Sequence, residues 1–128
     1  MQLAEQIERL FEQRFDDAHR PERQPNGHTT TFGPEFFDAF QELKRRLNSG
    51  EIRAAEPAEG EAHCGWRVNA WVKKGILLGF RIGQVEGMSV DGTLPFFDKH
   101  TFPLKKIAAD SGIRVVPGGS SIRDGCYV

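Results

Sequence analysis

Arg114 is the residue whose type and setting best fit a chemical role. It lies in Gly112-Ile-Arg-Val-Val-Pro-Gly-Gly, the one polar residue of a short apolar run that a Pro-Gly-Gly turn follows directly. A guanidinium offers parallel N–H donors that match a carboxylate, so the position suits recognition of an acidic ligand. The same spacing fits an arginine that simply alternates outward from a half-buried strand, Ile113 to Val116. The other reactive side chains are less well placed. His63-Cys64 is adjacent rather than at helical spacing and lacks further ligands, so it reads as a hairpin-edge pair and not a metal site. Nothing beside Cys126 marks it as an activated nucleophile. His19, His28 and His100 fall in expected loops and pair with no nucleophile, and Asp98-Lys99 reads as a surface ion pair at a strand end. No nucleophile elbow, phosphate loop, dinucleotide fingerprint or zinc spacing occurs. The chain therefore offers one candidate binding residue and no catalytic, cofactor-binding or metal-ligating one.

The elements that must position Arg114 follow from periodicity. Leu3, Ile7, Leu10, Phe11 and Phe15 recur at helical spacing over residues 2–15. Asp16 to His28, broken by Pro21, Pro25 and Asn26-Gly27, is an expected loop. A second helix starts near Pro34, buries Phe36, Phe37, Phe40, Leu43 and Leu47, and ends at Asn48-Ser49-Gly50 with Gly50 as its left-handed cap. Lys44, Arg45 and Arg46 are expected to be solvated in its last turns, matched to the helix dipole. Ile52–Ala55 and Trp66–Val68 flank a turn-rich segment and predict a hairpin. Asn69 is the expected cap of a third helix through Trp71, Val72, Ile76, Leu77, Phe80 and Ile82, within which Gly75 and Gly79 would permit close backbone packing. Gly83 to Pro95 is an expected loop, Phe96–Lys99 a short strand, and Thr101–Ser111 a helical turn around Leu104, Ile107 and Ala108. Ile122 and Val128, six apart with small or polar residues between, match the spacing of one hexapeptide turn of a parallel β-helix. One such rung cannot bury its apolar face without neighbours.

Bulk properties exclude several classes. A chain of 128 residues with a net charge of −1 has no basic footprint for nucleic acid. No stretch approaches the ~18 continuous apolar residues of a membrane span. The N-terminus lacks an apolar leader, so the expected location is the cytoplasm, where Cys64 and Cys126 stay as thiols.

Longer blocks carry a resemblance. Gly65-Trp-Arg-Val-Asn-Ala-Trp-Val-Lys-Lys-Gly-Ile-Leu-Leu-Gly-Phe-Arg-Ile82, then Phe97-Asp-Lys99, then Gly112-Ile-Arg-Val-Val-Pro117 closely resemble the N-terminal region of the tetrahydrodipicolinate N-succinyltransferases, in that family's order. Ser49 to Glu56 also fits, and His100–Ser111 departs most. The resemblance implies an α+β N-terminal domain over residues 1–111. It implies that residues 112–128 form a connecting strand and the start of a left-handed hexapeptide β-helix, whose remainder lies beyond Val128. It further implies a homotrimer that moves succinyl from succinyl-CoA, a cosubstrate and not a resident cofactor, to the amine of ring-opened tetrahydrodipicolinate on the diaminopimelate route to lysine. Arg114 takes the position of the family's dicarboxylate-contacting arginine, and the groups that assist the amine lie in the later part. Residues 1–128 alone are then expected to be inactive. The competing expectations are a non-catalytic interaction domain, and a hexapeptide acyltransferase with another acceptor.

Overall fold

The computed structural model describes residues 2–13, 32–58, 65–89 and 92–128. Three helices make the core: α1 (Leu3–Glu12), α2 (Pro34–Asn48) and α3 (Ala70–Ile82), each touching the other two. On α1, Leu3, Ile7 and Leu10 are buried, as their spacing requires, and the Gln2 N–H donates to Glu5 Oε2 at 3.3 Å across the first turn. Phe15 lies outside the described residues. Helix α2 starts at Pro34, and Gly50 past its end has φ +72°, a left-handed conformation that glycine adopts without strain.

The buried stripe of α3 is Val72, Gly75, Leu78, Gly79 and Ile82. Leu77, expected in the core, is exposed, because the two glycines take the side that faces α1 and α2. Asn69 does precede α3, but its side chain serves the neighbouring hairpin: Nδ2 donates to the Arg53 carbonyl at 2.8 Å and to Glu56 Oε1 at 3.3 Å.

Two small antiparallel ribbons complete the α+β fold. In the first, β1 (Ala55–Pro57) pairs with β2 (Trp66–Val68), with Glu56 opposite Arg67 and an ion pair between them. Its first strand begins later than Ile52. The Glu51 and Ile52 amides instead donate to the Arg46 carbonyl, and this wraps the chain over the end of α2 before a strand can form. In the second ribbon, β3 (Val85–Gly87) pairs with β4 (Phe97–Lys99), Glu86 opposite Asp98. The β3 strand occupies part of the expected Gly83–Pro95 loop.

Beyond β4 the sequence reading needs two corrections. No helical turn forms around Leu104, because its backbone bridges antiparallel to Arg123. Ile113 to Val116 is not a strand, since no partner strand lies beside it among the described residues. The turn at Pro117–Gly119 is present. No helix among the described residues is long and apolar enough to cross a membrane.

Candidate functional site

Arg114 stands on a closed loop. The chain leaves the domain at Leu104 and returns at Arg123, where the two residues bridge. The Lys105 N–H donates to the Ile122 carbonyl and the Asp124 N–H to the Pro103 carbonyl, both at 2.8 Å. Residues 105–122 therefore project as one surface loop with its ends pinned together, a design common in binding segments. Near its middle, Arg114 is exposed, and no hydrogen bond or ion pair engages it among the described residues. An arginine held by the domain's own carboxylates would have no donors to offer a ligand. Among the described residues, none takes up the donors of this one.

The pinned neck rests on α2. Lys44, expected in solvent, is only 7% exposed, because it lies one helical turn beyond buried Phe40 on the apolar stripe. Its ammonium pairs with Asp124 Oδ2 at 3.0 Å, donates to the Thr101 carbonyl at 3.1 Å and lies 5.5 Å from the Phe40 ring centre. Burial raises the Asp124 pKa. The hydrogen bonds from Lys44 and Asn48 and the Lys44 and Lys105 charges outweigh that effect and hold it below its ordinary value. Arg45 and Arg46 do lie at the helix surface, where both engage Glu42 and Glu51. Their hydrogen bonds lower the Glu42 pKa to about 2.

These depressed carboxylates set an acid limit. A carboxyl whose folded pKa lies below its unfolded value stabilises the fold fully above the unfolded value, and that stabilisation fades as pH falls through the folded one. For Asp124 and Glu42 the unfolded values are about 4. The thermal midpoint is therefore expected to hold above pH 5 and to fall between about pH 4.5 and pH 2. Asp124→Asn should flatten part of that decline, and an identical acid slope in this variant would remove Asp124 from the account.

Beside the loop runs a groove of about 360 Å³, between Met88, Leu94, Phe96, Phe97 and Leu104 on one side and the turn at residues 118–121 on the other. Its charged group is Asp98, and Arg114 does not line it. An apolar groove whose charged group is a carboxylate is poorly suited to an anion. Asp98 is not paired with Lys99, as expected from sequence. It pairs with Arg123, and Lys99 Nζ donates to the Gly83 carbonyl at 2.9 Å. The Lys99 N–H on its carboxylate, helped by Arg123 against burial, keeps the Asp98 pKa below its ordinary value.

His100 spends its ring on structure. Nδ1 accepts the Gln84 N–H at 2.9 Å and the ring lies 6.4 Å from Phe37. Cys126 is exposed beside a second hollow, next to Val128. His19, His28 and the His63-Cys64 pair lie outside the described residues. Sequence reasoning missed Lys44, Asn48 and Asp124, which meet across widely separated segments; only the helical position of Lys44 carried a usable signal.

The chain is similar to known proteins along most of its length. Residues 2–82 match the family described as Tetrahydrodipicolinate N-succinyltransferase N-terminal. Three similar proteins each bear the name 2,3,4,5-tetrahydropyridine-2,6-dicarboxylate N-succinyltransferase. The one from Granulibacter bethesdensis is 36% identical over 98% of this chain and 41% of its own length. That from Neisseria gonorrhoeae is 37% identical over 100% of this chain and 43% of its own. That from Methylococcus capsulatus is 39% identical over 77% and 35%. The chain thus spans about two-fifths of the length of the first two relatives it matches.

Proposed function

Because the chain belongs to the tetrahydrodipicolinate N-succinyltransferase N-terminal family, we propose that it serves as the N-terminal part of an enzyme that moves succinyl from succinyl-CoA to the amine of ring-opened tetrahydrodipicolinate, on the diaminopimelate route to lysine. The supporting observation is Arg114, exposed and without a hydrogen-bond or ion-pair partner among the described residues, on a loop with a pinned neck. Its guanidinium holds a carboxylate of the acceptor through two parallel N–H donors. The acceptor nitrogen then attacks the thioester carbonyl, the C–S bond breaks, and the amine proton leaves to a base while CoA departs as its thiol. That step needs a base for the ammonium and donors for the tetrahedral oxyanion. Both come from the later part of the family, a left-handed hexapeptide β-helix that assembles as a cytoplasmic homotrimer with active sites between neighbouring helices. This chain supplies an anchor and no complete catalyst.

Purified residues 1–128 are expected to release no thiol from succinyl-CoA when the amino dicarboxylate is present. The same residues joined to the C-terminal part of the Neisseria gonorrhoeae relative are expected to release it, and only with the acceptor present. Acceptor-dependent release by residues 1–128 alone would sink this division of labour. A joined protein that folds yet transfers nothing would sink the assignment.

A further inference from the structure

We propose that Lys44 and Asn48 are positioning residues for Arg114, acting through the neck of the 105–122 loop; this rests on the reading that Arg114 holds the acceptor. Lys44 and Asn48 stand one turn apart on α2 and meet both sides of the neck. On the returning side, Asn48 Nδ2 donates to Asp124 Oδ1 at 2.7 Å, while Lys44 takes the other carboxylate oxygen at 3.0 Å. Asn48 Oδ1 accepts the Gly125 N–H at 2.9 Å, also on the returning side, and Lys105 Nζ at 2.9 Å on the outgoing side. One amide thus ties the two sides of the neck together.

The buried ammonium makes this tie directional. A charge removed from water is tolerable only with a partner and hydrogen bonds, so Lys44 draws Asp124 to one place instead of merely attracting it. Arg123 adds a second fastening. It pairs with Asp98 on β4, and its guanidinium lies 5.4 Å from the Phe80 ring centre and 6.0 Å from that of Phe102. Within the loop itself, the hydrogen bonds among the described residues are local, from the Ser111 N–H to the Ala108 carbonyl and from the Ile113 N–H to Ser111 Oγ. Among the described residues, the polar ties between this loop and the domain are therefore those of the neck, and they set where Arg114 is presented. Misplacing a substrate anchor by about 1 Å can cost up to ~100-fold in rate.

The test uses Asn48→Ala and Lys44→Met in the joined protein; Asn48→Ala, which leaves no buried charge unpaired, keeps the test informative if Lys44→Met folds poorly. Each is expected to speed amide hydrogen exchange across residues 106–121 more than in α1 or α3. Each is also expected to raise the KM for the amino dicarboxylate about 10-fold with the KM for succinyl-CoA unchanged. In an Arg114→Leu background, the same substitutions should add nothing to the acceptor KM. A lower melting temperature with unchanged acceptor KM, or unchanged loop exchange, would leave the network purely structural and overturn the inference. If Arg114→Leu alone leaves the acceptor KM untouched, the failure lies in the carboxylate anchor and the positioning role falls with it, whatever the loop exchange shows.

Discussion

Gly79→Ala is expected to destabilise the domain by about 2 kcal/mol, although alanine is the better helix former by about 1 kcal/mol. An added Cβ would stand 2.2 and 2.5 Å from Phe40 Cε2 and Cζ, and 2.8 Å from Phe102 Cζ. Neither ring has room to retreat. Phe40 is buried and meets Phe102 edge-on at 5.1 Å, and Phe102 lies 4.5 Å from the Phe80 ring. The buried Thr101 hydroxyl also donates to the Gly79 carbonyl at 2.8 Å, which holds α3 in place against the rings. Gly75 is a gentler case, because its nearest obstacle is the terminal Leu43 Cδ2 methyl at 2.3 Å and the next, Ile7 Cγ2, stands at 3.3 Å, whereas Gly79 meets the edges of two rings within 2.8 Å. Gly75→Ala should therefore cost less than Gly79→Ala.

Denaturant unfolding with an unchanged m-value measures both losses, and the Gly79 effect corresponds to a fall in Tm of roughly 6–10 °C. Phe40→Leu removes the obstructing ring edge, so it should be less costly in the Gly79→Ala background than alone, a coupling of about 1 kcal/mol between touching residues. A Gly79→Ala protein as stable as the parent would show that the helices can part without loss, contrary to the close approach at this position.

That approach was partly legible in the sequence. Gly75 and Gly79 sit four apart on a helix whose other residues give a continuous apolar face, and the helix formed despite them because packing outweighs propensity. The ends of α2 were written in Pro34 and Gly50, both of which act within one turn. What escaped was non-local. The run Lys44-Arg45-Arg46 reads as a charged face, yet Lys44 is four residues past Phe40 and so points where Phe40 points. Strand β3 is three exposed residues whose partner comes ten residues later, too little alternation to register. Leu104, Ile107 and Ala108 have helical spacing, but the bridge to Arg123 fixes Leu104 through a residue nineteen positions away. Arg114 was legible as a singular polar residue. Its release from any partner among the described residues was not, since that depends on where each carboxylate ends up.

That release makes Arg114→Leu the substitution with the largest expected functional effect. A hydrogen bond to a charged group contributes about 1.5–3 kcal/mol, and Arg114 works from an exposed loop, so the lower half of that range applies. In the joined protein the acceptor KM should rise about 10- to 40-fold, while the KM for succinyl-CoA should stay within about 2-fold, because the proposed role assigns this guanidinium to the acceptor and not to the thioester. Arg114→Lys keeps the charge and loses the planar fork, so it should recover only part of the loss. Raising the ionic strength should weaken acceptor binding in the parent and in Arg114→Lys, with little effect in Arg114→Leu, because screening acts only where a charge remains. An acceptor without carboxylates would be indifferent to all three changes. Unchanged acceptor KM across Leu and Lys variants would therefore point to a different acceptor or to no anchoring at this position, and a KM that responds to Leu but not to salt would assign the loss to lost packing by the arginine stem rather than to its charge.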